Sequence, residues 1–293
     1  MSSIIIFRKE QEPDEKCMKY AIISFNIDFV TFLKDEYEID IDLKVCSKYL
    51  NLQAFFINLD MTFDFQKSFI YSPCFSLLSL VECLKSNCDD INARGINGSG
   101  AIHFAATYDC KEILQFLILN GAEINSQRDN GTTALHIAAI RNNIKIAEIL
   151  ILHGHDINIQ SYNGCTPLLF AAAFNSPEIV KLLISHGADI NIKTDDGRSA
   201  LHLASGFNHK EIVELLLLQG AQINEQDSNG MSVLYYAALR NCTELAKLFI
   251  LHGANINARE VNGCTSLHCA SSMKNKEIVE FLILHGADIT CKK

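Results

Sequence analysis

From residue 95 onward the chain alternates between two kinds of apolar segment. One is short and rich in alanine, as in Ala134-Leu-His-Ile-Ala-Ala139. The other is longer and apolar at helical spacing, as in Lys210-Glu-Ile-Val-Glu-Leu-Leu-Leu-Leu218. Apolar residues three and four apart line one side of a helix, so each pair of segments predicts two antiparallel helices. Between them stands Asp109, Asn142, Asn175, Asn208, Asn241 or Lys274. Asp and Asn tolerate the left-handed backbone that ends a helix, and Lys274 departs from that rule.

Glycine sets the period. Gly98, Gly131, Gly164, Gly197, Gly230 and Gly263 recur every 33 residues, and so do Gly121, Gly154, Gly187, Gly220, Gly253 and Gly286. Twelve of the fifteen glycines therefore fall in two phases, the signature of a stacked repeat. The first phase follows Asn or Asp in a turn with hairpin chemistry. Two residues later comes an N-cap hydroxyl, Thr133, Thr166, Ser199, Ser232 or Thr265, with Gly100 as the exception. Pro167 then fits the first helical position. The second phase is a glycine that closes the second helix.

These units resemble ankyrin repeats, in the 33-residue period, the Thr166-Pro-Leu-Leu and Thr133-Ala-Leu-His helix starts and the Gly187-Ala-Asp-Ile-Asn connector. The resemblance covers residues 95–292 as six units, 95–127, 128–160, 161–193, 194–226, 227–259 and 260–292. It implies an all-α fold, a solenoid of helix-turn-helix units joined by β-hairpin-like loops, elongated and right-handed.

The first 94 residues hold no Gly and no His but ten of the seventeen Phe. Asn87-Cys-Asp-Asp-Ile-Asn92 keeps phase with Asn120-Gly-Ala-Glu-Ile-Asn125, so a degenerate repeat ends there, with Cys88 in place of the helix-ending Gly. Upstream, helical spacing predicts short amphipathic helices over 16–24, 28–37, 43–50, 52–59 and 66–72, and 75–85 as the second helix of the degenerate unit. We expect degenerate helical hairpins over 14–94 that cap and continue the stack, behind a loose terminus over 1–13. The stretches Asn26-Ile-Asp-Phe-Val-Thr-Phe-Leu33 and Phe69-Ile-Tyr-Ser-Pro73 are similar to an N-terminal helical region of lineage-expanded ankyrin proteins in some protists. That resemblance implies architecture and no activity.

Composition narrows the functional classes. Hydrophobic residues make up 48% of the 293 and charged residues 20%, too apolar for a disordered chain. A net charge of −9 with no basic run disfavours nucleic acid. Eleven cysteines without a CxxC pair read as free, buried thiols of a reducing compartment. Ile4 to Phe7 is too short for a signal-peptide core and acidic residues follow it. No apolar run approaches a membrane span. A cytoplasmic protein is expected.

Candidate chemistry is sparse. His103, His136, His202 and His268 share one helix-start position, and His153, His186, His252 and His285 precede the second-phase Gly. Copies roughly 10 Å apart cannot share a metal at ligand distances of about 2 Å, so hydrogen bonding at helix ends is the expected role. His155 is out of phase and reads as variation in a solvent-exposed loop. No zinc set, Ser-Gly phosphate loop or nucleophile constellation emerges. No metal, no cofactor and no catalytic residue is expected. An enzyme centred on 14–94 would have to work without His or a Gly-rich loop there.

A solenoid without enzymatic motifs works through its surface. On the concave face of ankyrin-like units stand the helix-end residues Tyr108, Arg141, Phe174, Phe207, Arg240 and Met273, with Tyr162, Arg198 and Met231 at the hairpin tips. Tyr, Arg, Phe and Met are enriched at interfaces. The expected function is a non-catalytic scaffold binding a protein partner there, with no nucleic acid and no membrane insertion. An adaptor that presents clients to a ubiquitin ligase or the membrane skeleton is the alternative that the wider family suggests. The last repeat carries no polar outer helix, so self-association through the uncapped C-terminal repeat is also expected.

Overall fold

A computed structural model describes residues 13–289. The loose terminus expected over 1–13 lies outside the described residues except for its last position. The chain divides into two compact units, Met1–Glu123 and Ile124–Lys293. The regular structure of the described residues is helical, with one isolated bridge between Gln226 and Ser232 and no strand among them.

The first unit holds α1 (Glu15–Ile23), α2 (Ile27–Tyr37), α3 (Leu43–Lys48), α4 (Leu52–Thr62), α5 (Phe65–Tyr71), α6 (Leu78–Lys85), α7 (Ala101–Thr107) and α8 (Lys111–Leu119). Asp14, Asn26, Asp42, Asn51 and Asp64 each cap the following helix by accepting a backbone amide. α1, α3, α5 and α7 pack in succession; α2 lies against α4, and α6 against α8. Left-handed residues break each hairpin at Phe25, Leu50, Ser76 and Asp109. The first hairpins are shorter than a full repeat because their connections have shrunk to 38–42 and 63–64, leaving no room for a hairpin loop.

One expected boundary moves. The helix placed over 75–85 begins only at Leu78, because a 3₁₀ turn, Ser72–Phe75, ends at Ser76 in the left-handed region with φ 55°. Cys88 replaces glycine without strain, since it is not among the positive-φ residues. Its buried thiol donates to Gln66 Oε1 at 3.0 Å.

The second unit holds five hairpins: α9 (Ala134–Arg141) with α10 (Ile144–Leu152), α11 (Pro167–Ala173) with α12 (Pro177–Ser185), α13 (Ala200–Gly206) with α14 (Lys210–Leu218), α15 (Val233–Leu239) with α16 (Thr243–Leu251), and α17 (Ser266–Ser272) with α18 (Lys276–Leu284). The short helices form an inner row and the long ones an outer row. Alanines such as Ala138, Ala171, Ala204, Ala237 and Ala270 are fully buried and let inner helices approach closely. Leu150, Leu183, Leu216, Phe249 and Leu282 fill the space between the rows and are likewise fully buried. Burying such a side chain stabilises by about 1.5–3 kcal/mol.

Two sets of polar bonds fix the spacing of neighbours. Ser176 Oγ donates to Ala139 O at 2.8 Å, and Asn275 Nδ2 to Ala238 O at 3.1 Å. In the first unit Asn51 Nδ2 makes the same reach to Ile22 O at 3.0 Å. The connector asparagines form the second set: Asn125, Asn158, Asn224 and Asn257 accept at Oδ1 from the backbone amides of Asp156, Asp189, Asn255 and Asp288 in the next repeat, at 2.7–2.9 Å.

Candidate functional site

The hairpin loops of the second unit are tied both within and between repeats. Arg128 N, Ser161 N, Thr194 N, Asp227 N and Glu260 N each donate to the carbonyl four residues on, closing a tight loop. Adjacent tips are then joined by Tyr162 N to Asn130 O, Asp195 N to Asn163 O, Ser228 N to Asp196 O and Val261 N to Asn229 O, at 2.9–3.1 Å. The tips and the ends of the inner helices thus present a regular row of side chains on a fixed backbone.

Arg141, Phe174, Phe207, Arg240 and Met273 end the five inner helices and are all exposed. Phe174 and Phe207 keep 53% and 55% of their surface in solvent. Each ring has one aromatic neighbour: Phe170 lies 6.2 Å from Phe174, and His209 stacks on Phe207 at 5.9 Å. Arg240 Nε donates to Gly206 O at 2.7 Å, which pins its guanidinium beside Phe207. Tyr162 is 68% exposed at its tip, over the glycine of the previous loop. Met231 is half-buried in the next tip but one. Tyr108 belongs to the first unit, where its side chain hydrogen-bonds the Cys74 thiol.

Arg198 pairs with Asp196 in its own loop, and that pairing holds the Asp196 carboxyl below its usual range. Beside it, buried Asp227 accepts the amides of Asn229 and Met231 at 2.9 Å and the Tyr236 hydroxyl at 2.7 Å. Burial, followed by the bond to Asp227, pushes the Tyr236 phenol up, so it stays a donor. Buried Glu260 repeats the loop-capping role through the amides of Asn262 and Cys264, which lower its pKa. Asp227, Tyr236 and Glu260 were absent from the expected surface residues. For the two carboxylates the signal is positional: an acidic residue three before the loop glycine, at a place held elsewhere by Arg128, Ser161 and Thr194.

The histidines work at helix ends. His136 Nδ1 accepts from Thr133 N at 3.0 Å, so its Nε2 carries the proton donated to Cys165 O at 2.9 Å. His153, His186, His252 and His285 bond the carbonyl four residues back through Nδ1. His155 corrects an expectation. It is buried, 6% exposed, with Nδ1 on Asp156 O at 2.8 Å and Nε2 on Thr133 Oγ1 at 3.0 Å. The ring turns back under the preceding helix start instead of facing solvent. Burial pushes both His136 and His155 down to about 4. The thiols need one correction too: Cys83 is exposed and Cys17, Cys165, Cys242 and Cys264 half-buried, whereas Cys46 and Cys74 are buried and pushed up to about 12. Among the described residues no three His, Cys, Asp or Glu side chains converge as metal ligands.

A cleft of about 420 Å³ in the first unit brings Glu15, Asp40 and Asp42 near Lys16, Lys19 and Lys67. Asp40 and Asp42 have other duties. Asp40 pairs with Lys34 at 2.8 Å, which lowers its pKa, and Asp42 caps α3 by accepting from Lys44 N at 2.8 Å.

Three overlapping matches to the family model for ankyrin repeats (3 copies) span residues 74–161, 139–227 and 207–293. The chain belongs to the ankyrin-repeat family. A second model, a domain of unknown function (DUF3447), matches residues 3–58. No curated protein matches the chain. Ankyrin repeats are protein–protein interaction modules in general, and proteins built from them are generally non-catalytic. No helix among the described residues is long and apolar enough to cross a membrane.

Proposed function

We propose that this ankyrin-repeat protein is a non-catalytic scaffold that binds a segment of a protein partner across the tip and inner-helix face of its second unit. Phe174 and Phe207 form the centre, Arg141 and Arg240 the flanks, with Tyr162 and Met273 extending the surface. The observation that carries this reading is the half-exposure of two phenylalanines at equivalent positions of adjacent repeats, where neither ring is needed to fill the core. Exposed aromatic side chains beside arginine are the usual anchors of protein interfaces. Arg240 is preorganised by its bond to Gly206 O, so little side-chain entropy is lost on binding.

Residues 14–94 serve in this reading as degenerate hairpins that cover the start of the first full repeat, over 95–127. The test is proximity labelling followed by pull-down with a variant carrying alanine at Arg141, Phe174, Phe207 and Arg240. All four side chains are exposed, so the variant should fold and lose its partners. A folded variant that captures an unchanged partner set overturns the assignment of the face.

A further inference from the structure

The outer helices carry an apolar row that folding does not use. Leu152, Leu218, Leu251 and Leu284 each end an outer helix and are 76–82% exposed. Leucine at the end of an exposed helix gains nothing from the core, and four in register at 33-residue spacing form a line. The line has a single break, Ser185, at the end of α12. Beside that break lies a cavity of about 230 Å³ between α12 and α14, lined by Val180, Lys181, Ile184, Ser185, Leu215 and Gln219.

One helical turn before each of these positions stands a charge, and the charges alternate: Glu148, Lys181, Glu214, Lys247, Glu280. Residues four apart share a helix face, so the charged row runs alongside the leucine row.

We propose that this face docks a second copy of the same chain, antiparallel, about a two-fold axis parallel to the outer helices and passing between α12 and α14. Two-fold symmetry brings the same patch of each copy together. Leu218 of each copy then faces the cavity beside Ser185 of the other, and Leu152 faces Leu251. The charges match in the same register, with Lys181 opposite Glu214 and Glu148 opposite Lys247. Moving the axis onto α14 would set Lys181 against Lys247 and Glu148 against Glu280. The alternation therefore restricts the axis to a gap between neighbouring outer helices, and Ser185 with the cavity beside it selects the gap between α12 and α14. The present partners of these charges are exposed pairs, Lys181 with Glu178 at 2.7 Å and Glu211 at 3.2 Å, and Glu148 with Lys145 at 2.9 Å. Exposed pairs contribute little, so exchanging them on docking costs little.

Sedimentation velocity on the full chain over a concentration series tests the docking, with circular dichroism confirming that each variant is folded. The chain should show a monomer–dimer equilibrium. Leu218→Glu should raise the dissociation constant by more than about tenfold, and Lys181→Glu should weaken association clearly. Combining Lys181→Glu with Glu214→Lys should restore it, because the exchanged charges again face each other. Four results overturn the proposal: a chain that stays monomeric, a dimer indifferent to Leu218→Glu, rescue of Glu214→Lys by Lys247→Glu instead, or association lost only on charging Ile283 at the edge of the last repeat.

Discussion

Thr133 sits between two imidazoles, and the arrangement sets the protonation of all three groups. The backbone amide of Thr133 donates to His136 Nδ1, and the His155 Nδ1–H donates to Asp156 O, so neutral His155 accepts from the Thr133 hydroxyl at Nε2. The same hydroxyl also lies 2.9 Å from His136 Nδ1, but that nitrogen already takes the Thr133 amide, so with both rings neutral the one hydroxyl proton goes to His155 Nε2, which has no other donor among the described residues. Because burial holds both folded-state values near 4, against about 6.5 in an unfolded chain, the unfolded state binds more protons between those pH values. Stability is therefore complete above about pH 6.5 and falls as the pH drops toward 4, by up to roughly 3 kcal/mol per imidazole. His155→Ala, which installs the residue found at this position in the other repeats of the unit, should flatten that acid slope. Urea melts of both proteins across pH 4–7 measure it, and an unchanged slope would remove His155 from the account. Sequence alone shows that His155 breaks the repeat pattern; it does not show which way the ring turns, because that depends on a hydroxyl 22 residues earlier.

At the scale of helices and loops, the loop glycines differ in what they tolerate. Gly131 and Gly263 share a positive φ, 78° and 81°. A β-carbon on Gly131 would lie 2.6 Å from Tyr162 N, whereas on Gly263 it would meet nothing within 4 Å. Gly263→Ala should cost about 1–2 kcal/mol, the penalty of left-handed backbone alone, and Gly131→Ala clearly more, because the bond between tips must give way. Thermal unfolding of the two variants compares them directly. This regularity explains what could be read in the sequence. Glycine and asparagine mark left-handed positions, so repeats and hairpin breaks in the second unit are visible residue by residue, and even Lys274 adopts the conformation its place in the period demands, with φ 59°. In the first unit the same backbone turns fall on Phe25, Leu50 and Phe63, residue types that carry no turn signal. The helices there are legible from their apolar spacing, but the shortening of the connections is not, nor is the 3₁₀ turn Ser72–Phe75 that moves the start of α6 to Leu78.

For the molecule as a whole, the candidate binding face was legible as a column of residue types and much less as a set of contacts. Phe174, Phe207 and Tyr108 are all exposed, but the Tyr108 side chain is committed to the Cys74 thiol. The arginines also part ways: Arg240 is fixed on a backbone carbonyl, while no bond of the Arg141 side chain is seen among the described residues. The outer face was the reverse case, with its leucines and alternating charges present in the sequence but their meaning hidden until exposure and the cavity beside Ser185 were known.

The connector asparagines have a further use. Each side-chain oxygen holds one backbone amide of the following repeat, so the amide protons of Asp156, Asp189, Asn255 and Asp288 are locked only while two particular neighbours remain in contact. They form four separate gauges of cohesion along the second unit. In native-state hydrogen exchange, their rates should rank the junctions by opening free energy. Replacing Asn158 by alanine should speed exchange at Asp189 far more than at Asn255, and equal acceleration at both would show that the junctions open together.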